Sequence, residues 1–328
     1  MRLVVIGSNS FSGAHFVDTA LKARHSVLGI SRSAEPHRAF LPHTWDQGQE
    51  NDYQFLQADL NEDLPVTVSA IKDFTPDVVV NFAAQSMVAQ SWENPEHWYR
   101  TNVVSLAELV KGLQGIASMT RYVHVTTPEV YGSTSDWIKE NENFAPSTPY
   151  AVSRAAGDWH LLAMYRATGS SDLTRAANVY GPGQQLYRIV PKAAVSARLG
   201  REVPLHGGGT SRRSFIHIYD VADATLKVAQ HGELGQTYHI STNELISIRD
   251  LVARTFEMAG VDSTHMIAPT QDRLGKDSGY FLDSSRIRDE LGWAPRIDLD
   301  VGLSSVIAWV DAYLDQLAAM PTDYIHKP

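Results

Sequence analysis

The first thirteen residues constrain the fold more than any other stretch of the chain. Leu3-Val4-Val5-Ile6 is an unbroken apolar run that meets Gly7-Ser8-Asn9-Ser10-Phe11-Ser12-Gly13, and a helical pattern follows from Ala14 to Ala23. A continuous Val/Ile-rich run, rather than an alternating one, is what a strand buried on both faces requires. Glycine directly after such a strand permits a tight turn, and Gly13 lets the helix pack closely on the strand. The helix start then aims backbone N–H groups at a pyrophosphate. Position, spacing and the following helix agree, so the turn predicts a dinucleotide site.

Similar short apolar runs recur at Val27–Ile30, Phe55–Leu56, Val78–Phe82, Tyr122–Val125 and Leu173–Ala176, with a seventh at Thr237–Ile240. Segments long enough for a helix separate them. That alternation predicts an α/β fold with a doubly wound parallel sheet of the Rossmann type, its ligand edge at the carboxyl ends of the strands. After about residue 177 the texture changes: Gly181-Pro182-Gly183 and Gly207-Gly208-Gly209 punctuate it, and helical patterns return at Ile248–Ala259 and Leu303–Leu317. The chain of 328 residues has room for about two domains. We expect a dinucleotide-binding domain from 1–176 and 216–241, and a smaller, discontinuous substrate domain from 177–215 and 242–328. The end of the chain, Met320 to Pro328, reads as a loose tail.

Composition narrows the function classes. Lys plus Arg (28) against Asp plus Glu (37) leaves a net charge of −9, which argues against bulk nucleic acid or an anionic membrane as partner. There are no cysteines, so disulfides, thiolate metal sites and a cysteine nucleophile are excluded, and a reducing cytoplasm suits the chain. No apolar stretch approaches the ~20 residues of a membrane span, and the first residues lack a signal-peptide layout. Thirteen histidines form no convincing metal-ligand pattern, so no metal is expected. The tryptophans and Tyr122 read as core.

Two local patterns carry chemistry. The second strand ends in Ser31-Arg32-Ser33, where NAD-binding proteins usually place an acidic residue for the ribose hydroxyls. An arginine flanked by hydroxyls suits a ribose 2′-phosphate, so NADP is favoured over NAD. Further on, Ser147-Thr148-Pro149 precedes Tyr150-Ala-Val-Ser153-Arg154; proline starts a helix, and Tyr150 and Arg154 then share one face. A tyrosine becomes a base only when a nearby cation stabilises its phenolate, and Arg154 supplies one.

The surrounding runs are Thr126-Thr127-Pro128-Glu129-Val130-Tyr131-Gly132, Arg175-Ala-Ala-Asn178-Val-Tyr180-Gly181-Pro182, Arg213-Ser-Phe215-Ile-His-Ile-Tyr-Asp220-Val221, Asn243-Glu244, Arg273-Leu-Gly-Lys-Asp277, Leu282-Asp283-Ser-Ser-Arg286 and Leu291-Gly-Trp293. In order, and across nearly the whole length, the chain resembles the extended short-chain dehydrogenases that modify nucleotide sugars, and most closely the NDP-hexose 4,6-dehydratases. The resemblance implies that Gly7, Ser10, Phe11 and Gly13 line the cofactor, with Ser10 in place of the family's middle glycine. Arg32 and Ser33, Asp59 and Leu60, and Ala83 and Ala84 would complete that site, Asp59 meeting the adenine. Tyr150 would take the sugar 4-hydroxyl proton while hydride leaves C4, Arg154 would hold the nicotinamide ribose, and Thr127 would bond the C4 oxygen. Glu129 would remove the C5 proton, water would leave from C6, and no net redox change would result. Ser86, Asn178, Arg188, Arg213, Asn243 and Arg273 would hold the nucleotide sugar, and the helices at Thr101–Leu113 and from Tyr150 would form a homodimer contact.

The chain departs from the family pattern twice. The tyrosine's usual lysine partner is Arg154, which keeps the charge but is effectively never deprotonated. The aspartate that protonates the departing hydroxyl is replaced by Pro128, which has nothing to donate; Glu129, Thr127 or a water must then assist. Three rival readings therefore stay open beside the dehydratase: a UDP-glucuronate-decarboxylase-like enzyme, a 4-epimerase in which Glu129 is idle, and a non-catalytic cofactor-binding protein.

Overall fold

A computed structural model describes residues 1–46, 52–168, 171–264, 266–270, 279 and 281–327. Its centre is one seven-stranded parallel sheet. In chain order its strands are β1 (Arg2–Ile6), β2 (Ser26–Ser31), β3 (Tyr53–Gln57), β4 (Val78–Asn81), β5 (Arg121–Thr126), β6 (Ser171–Ala176) and β7 (Thr237–Ile240). Across the sheet they run β7-β6-β5-β4-β1-β2-β3. All seven expected runs are strands of this sheet.

Strand β1 shows why the runs are continuous. Leu3 and Val5 face one side, with Phe16 and Val17 of helix α1 (Phe11–Lys22). Val4 and Ile6 face the other, with Ile71 of α2 (Leu64–Phe74), Leu109 of α3 (Leu106–Leu113) and Leu161 of α4 (Pro149–Thr168). Both faces are covered, so neither set of alternate side chains can be polar. The chain steps from β1 to β2 and β3 in one direction, then returns to place β4 on the other flank of β1. That reversal opens a crevice beyond the strand ends, the point at which doubly wound sheets bind ligands.

Beyond the sheet, α5 (Ile189–Leu199), α7 (Ile248–Met258) and α8 (Leu299–Ala318) pack around Tyr180, Leu251, Leu303, Trp309 and Val310. The intervening helix α6 (Ile218–His231) covers the sheet beside α1. Helix α8 starts four residues before its apolar pattern because the Asp298 carboxylate caps it, accepting the Val301 N–H at 2.8 Å. In the expected helix at Thr101–Leu113, residues Arg100–Ser105 take a π-helical winding before α3.

Two expectations fail. Trp92, Trp137 and Trp159 are exposed, not core. The segment from Pro321 is not loose: His326 stacks on His97 and Trp98, with ring centroids 5.1 Å apart in each case, and Tyr324 packs edge-on against Tyr187. Aromatic side chains at the end of the chain found apolar partners, and a composition-based reading of a tail does not count those.

Candidate active site

At the end of β1, Gly7 adopts φ +81°, a conformation open to glycine at little cost. A Cβ on Gly7 would lie 2.7 Å from the Ala83 nitrogen, and one on Gly13 would lie 2.2 Å from the Gly7 carbonyl oxygen. Both positions are closed to side chains, which leaves the start of α1 bare. Ser10 is the N-cap: its Oγ accepts the Gly13 N–H at 3.1 Å, so the residue in the middle-glycine place turns its hydroxyl into the helix. Phe11 is buried behind it.

The second-strand end is tied to the same turn. Ser31 Oγ accepts the Asn9 N–H at 2.9 Å, and the Asn9 amide donates to the Ser33 carbonyl at 2.8 Å. Arg32 and Ser33 are exposed. Asp59 accepts the Asn61 N–H at 2.8 Å at the end of β3, with Leu60 buried beside it. The Asn81 side chain accepts the Ala83 N–H at 2.9 Å and sets Ala83 and Ala84 at the β4 end. A glycine turn closed to side chains at Gly7 and Gly13, a helix start beyond it, and a cation at the second-strand tip together fit a dinucleotide.

On the far side of the crevice, β5 delivers Thr127 and Glu129. Thr127 caps the short 3₁₀ turn Pro128–Tyr131, its Oγ accepting the Glu129 N–H at 3.3 Å. Pro128 fits there because the first position of such a turn needs no N–H. Helix α4 starts at Pro149 as expected, and the Thr148 hydroxyl accepts the Ala151 N–H at 3.1 Å. Tyr150 is buried, which pushes its phenol pKa up. Arg154, the Thr127 hydroxyl and Arg188 work against that rise, while Glu129 adds to it.

Arg154 is buried too, and its guanidinium donates to the Val125 carbonyl. Its Nε has no partner among the described residues, leaving a buried donor for an oxygen atom to meet. Arg188 precedes α5 and lies over the Tyr187 ring at 5.5 Å. Asn178 donates to the Ser214 carbonyl at 3.4 Å, and Arg213 lies on a two-residue strand paired with Ile246-Ser247. Ser86 and Asn243 are exposed. Arg273 lies outside the described residues.

Sequence reasoning missed three contributors. Asn102 accepts the Gln85 N–H at 2.9 Å, returns a bond to the Gln85 carbonyl at 2.9 Å, and donates to Ser153 Oγ at 2.9 Å. It fastens the β4 turn to the helix of Tyr150. The only signal was an amide in an otherwise helical window. Ser91 accepts the Tyr150 N–H at 3.1 Å. The third is the docked end of the chain: the Lys327 carbonyl accepts from Gln85 at 2.8 Å and from Arg32 at 3.4 Å.

The sheet order and the glycine turn after β1 define a doubly wound, dinucleotide-binding class of protein. A family model described as GDP-mannose 4,6 dehydratase matches residues 4–306. A dTDP-glucose 4,6-dehydratase of Streptomyces niveus is 31% identical over 94% of this chain and 92% of its own length. One of Streptomyces antibioticus is 32% identical with the same coverage. The crystal structure of DesIV, a dTDP-glucose 4,6-dehydratase of Streptomyces venezuelae with NAD bound, superposes with a TM-score of 0.88 at 29% identity, covering 96% of this chain and 98% of DesIV. The chain belongs to the GDP-mannose 4,6-dehydratase family.

Proposed function

We propose that the protein is an NDP-hexose 4,6-dehydratase. The observation that carries this is the turn of Glu129, Pro128–Tyr131, packed through Val130 and Tyr131 against Ala155 on the helix that begins with Tyr150. An epimerase has no work for that carboxylate. Gly7, Ser10, Phe11, Gly13, Asp59, Leu60, Ala83, Ala84 and Arg154 would hold a nicotinamide dinucleotide, which would supply the hydride acceptor for C4 and, once reduced, the hydride donor for C6.

Tyr150, as phenolate, takes the proton of the sugar 4-hydroxyl, and the Thr127 hydroxyl holds the same oxygen. Once C4 is a ketone, the C5 proton is acidic, and Glu129 removes it. Pro128 offers no proton to the leaving C6 hydroxyl. We assign that delivery to Glu129 as well: the proton it takes from C5 goes to the C6 oxygen, C5–H and C6–O break, and one water leaves. Arg188, Arg213 and Arg273, with Ser86, Asn178 and Asn243, hold the nucleotide diphosphate; arginine forks suit its paired oxygens.

NADP over NAD rests on Arg32 with Ser33, whereas DesIV was crystallised with NAD. Titration separates the two: NADP should bind more tightly, and Arg32→Ala should erase the difference. The division into 1–176 with 216–241 and 177–215 with 242–328 belongs to the same reading, as does a cytoplasmic location, which the lack of cysteine favours. Exposed Val104, Val152 and Trp159 on the 100–113 and 149–168 helices favour a homodimer.

Incubation with dTDP-glucose, GDP-mannose and UDP-glucose in heavy water is the test. The expected result is a 4-keto-6-deoxy product carrying one deuterium at C5. No product from any of the three, with the dinucleotide bound, would overturn the assignment; carbon dioxide from a UDP-uronic acid would replace it with a decarboxylase.

A further inference from the structure

Thr127 and Glu129 ride on a turn that one buried ion pair grips at both ends. The sheet register sets Thr126 of β5 beside Arg175 of β6, and Arg175 beside His239 of β7. Arg175 faces Asp158 of α4, Nη2 to Oδ2 2.8 Å, and both side chains are completely buried. Upstream of the turn, the Thr126 hydroxyl donates to the same Asp158 oxygen at 3.0 Å. Downstream, Arg175 Nη1 donates to the Tyr131 hydroxyl at 3.2 Å, and the guanidinium lies 5.1 Å from the Tyr131 ring centre and 5.0 Å from that of Phe144.

The network continues in a fixed direction. His239 Nδ1 faces the Asp283 carbonyl at 3.2 Å and so carries the ring proton; Nε2 then accepts the Tyr131 O–H at 2.9 Å, with the Asn141 carbonyl a second acceptor for that hydroxyl at 3.3 Å. Burial, with Arg175 beside it, holds His239 neutral, its pKa lowered to about 3. The Glu140 carboxylate accepts the His239 N–H at 2.8 Å and lies 3.9 Å from Arg286, closing the outer side. A buried ion pair is poor value as a source of stability alone, since apolar residues of similar volume often serve as well. What it supplies is direction: hydrogen bonds that permit one placement of each end of the turn.

We infer that Asp158 and Arg175, acting through Thr126 and Tyr131, are positioning residues that set the Thr127 hydroxyl and the Glu129 carboxylate against Tyr150. The inference rests on the dehydratase reading for its chemistry, though not for its geometry. Because the clamp has two ends, its two ends can be loosened separately. Thr126→Val removes the upstream bond, beside Thr127, and Tyr131→Phe removes the downstream one, beside Glu129.

The test is rapid quenching of single turnovers, with mass spectrometry of the sugar, alongside amide hydrogen exchange. Thr126→Val should slow C4 oxidation at least fivefold with KM within twofold, and Thr126→Ser, which keeps the hydroxyl, should restore it. Tyr131→Phe should leave C4 oxidation within twofold and slow loss of the C5 proton at least tenfold, so that a 4-keto-6-hydroxy sugar accumulates. Both variants should raise amide exchange in residues 126–132 without changing it in β1 and β4. Equal slowing of both steps, or unchanged exchange in that turn, would overturn the clamp. A wild-type enzyme that turns over no NDP-hexose would instead refute the dehydratase reading, and the exchange data would still judge the clamp.

Discussion

Arg154 stands where the family resemblance implies a lysine. The longer side chain passes its guanidinium to the Val125 carbonyl, yet its charge still lowers the Tyr150 pKa against burial. Arg154→Met removes a cation whose presence favours the phenolate. The Tyr150 pKa then rises, so the acid limb of the kcat/KM profile should move to higher pH. Arg154→Lys should move it by much less; a limb unmoved by methionine would remove Arg154 from this role. Glu129 is separable from Tyr150. Glu129→Gln should still permit C4 oxidation while product formation falls ~10²–10⁴-fold, the usual worth of a general base; full product yield from that variant would leave the C5 proton without its acceptor. Tyr150 and Arg154 could be read as one face of a helix started by Pro149, while Thr127 and Glu129 were singled out through the family resemblance of the run that holds them. Asp158, Arg175 and Asn102 were not, because their partners lie at least seventeen residues away in sequence and only the folded sheet brings them together.

Elements were legible in proportion to their burial. Strands β1 and β4, covered on both faces, show as unbroken apolar runs. Strand β3 lies at the sheet edge and is half exposed, so only Phe55–Leu56 of Tyr53–Gln57 stood out. The segment 321–327 was illegible for a different reason: its anchors at Arg32 and Gln85 are 295 and 242 residues away. One carbonyl, that of Lys327, occupies donors from both residues, one of them the expected ribose-phosphate cation. Replacing Tyr324 and His326 together with alanine removes the aromatic contacts that hold this segment. Its amides should then exchange freely, and the dinucleotide should bind about fivefold more tightly as Arg32 and Gln85 are released, the worth of roughly one net hydrogen bond. Weaker binding in that variant would mean that the segment covers a bound nucleotide instead of competing with it.

For the whole molecule, the buried imidazoles set how it responds to acid. His15 and His239 are lowered to about 3, and His43 and His217 to about 4, in each case chiefly by burial. In the folded state His15 Nδ1 donates to the Phe11 carbonyl at 2.9 Å, and His239 Nε2 faces the Tyr131 hydroxyl at 2.9 Å. In the unfolded chain the same rings titrate near 6.5. Between pH 6.5 and about 4 the unfolded state therefore binds more protons, and stability falls as pH falls. Each ring contributes about 2 kcal/mol of that loss at pH 5. Four together rival the ~5–15 kcal/mol that holds a typical domain folded. Asp18, Glu140 and Asp220 work the other way: burial raises their pKa, so the folded state takes up their protons first and recovers part of that loss as pH falls. Thermal melts at steps from pH 7 to pH 4 should show a midpoint that is flat above pH 6.5 and falls below it. A midpoint unchanged between pH 7 and pH 5 would show that these rings take up protons in place, and the burial assigned to them here would be wrong.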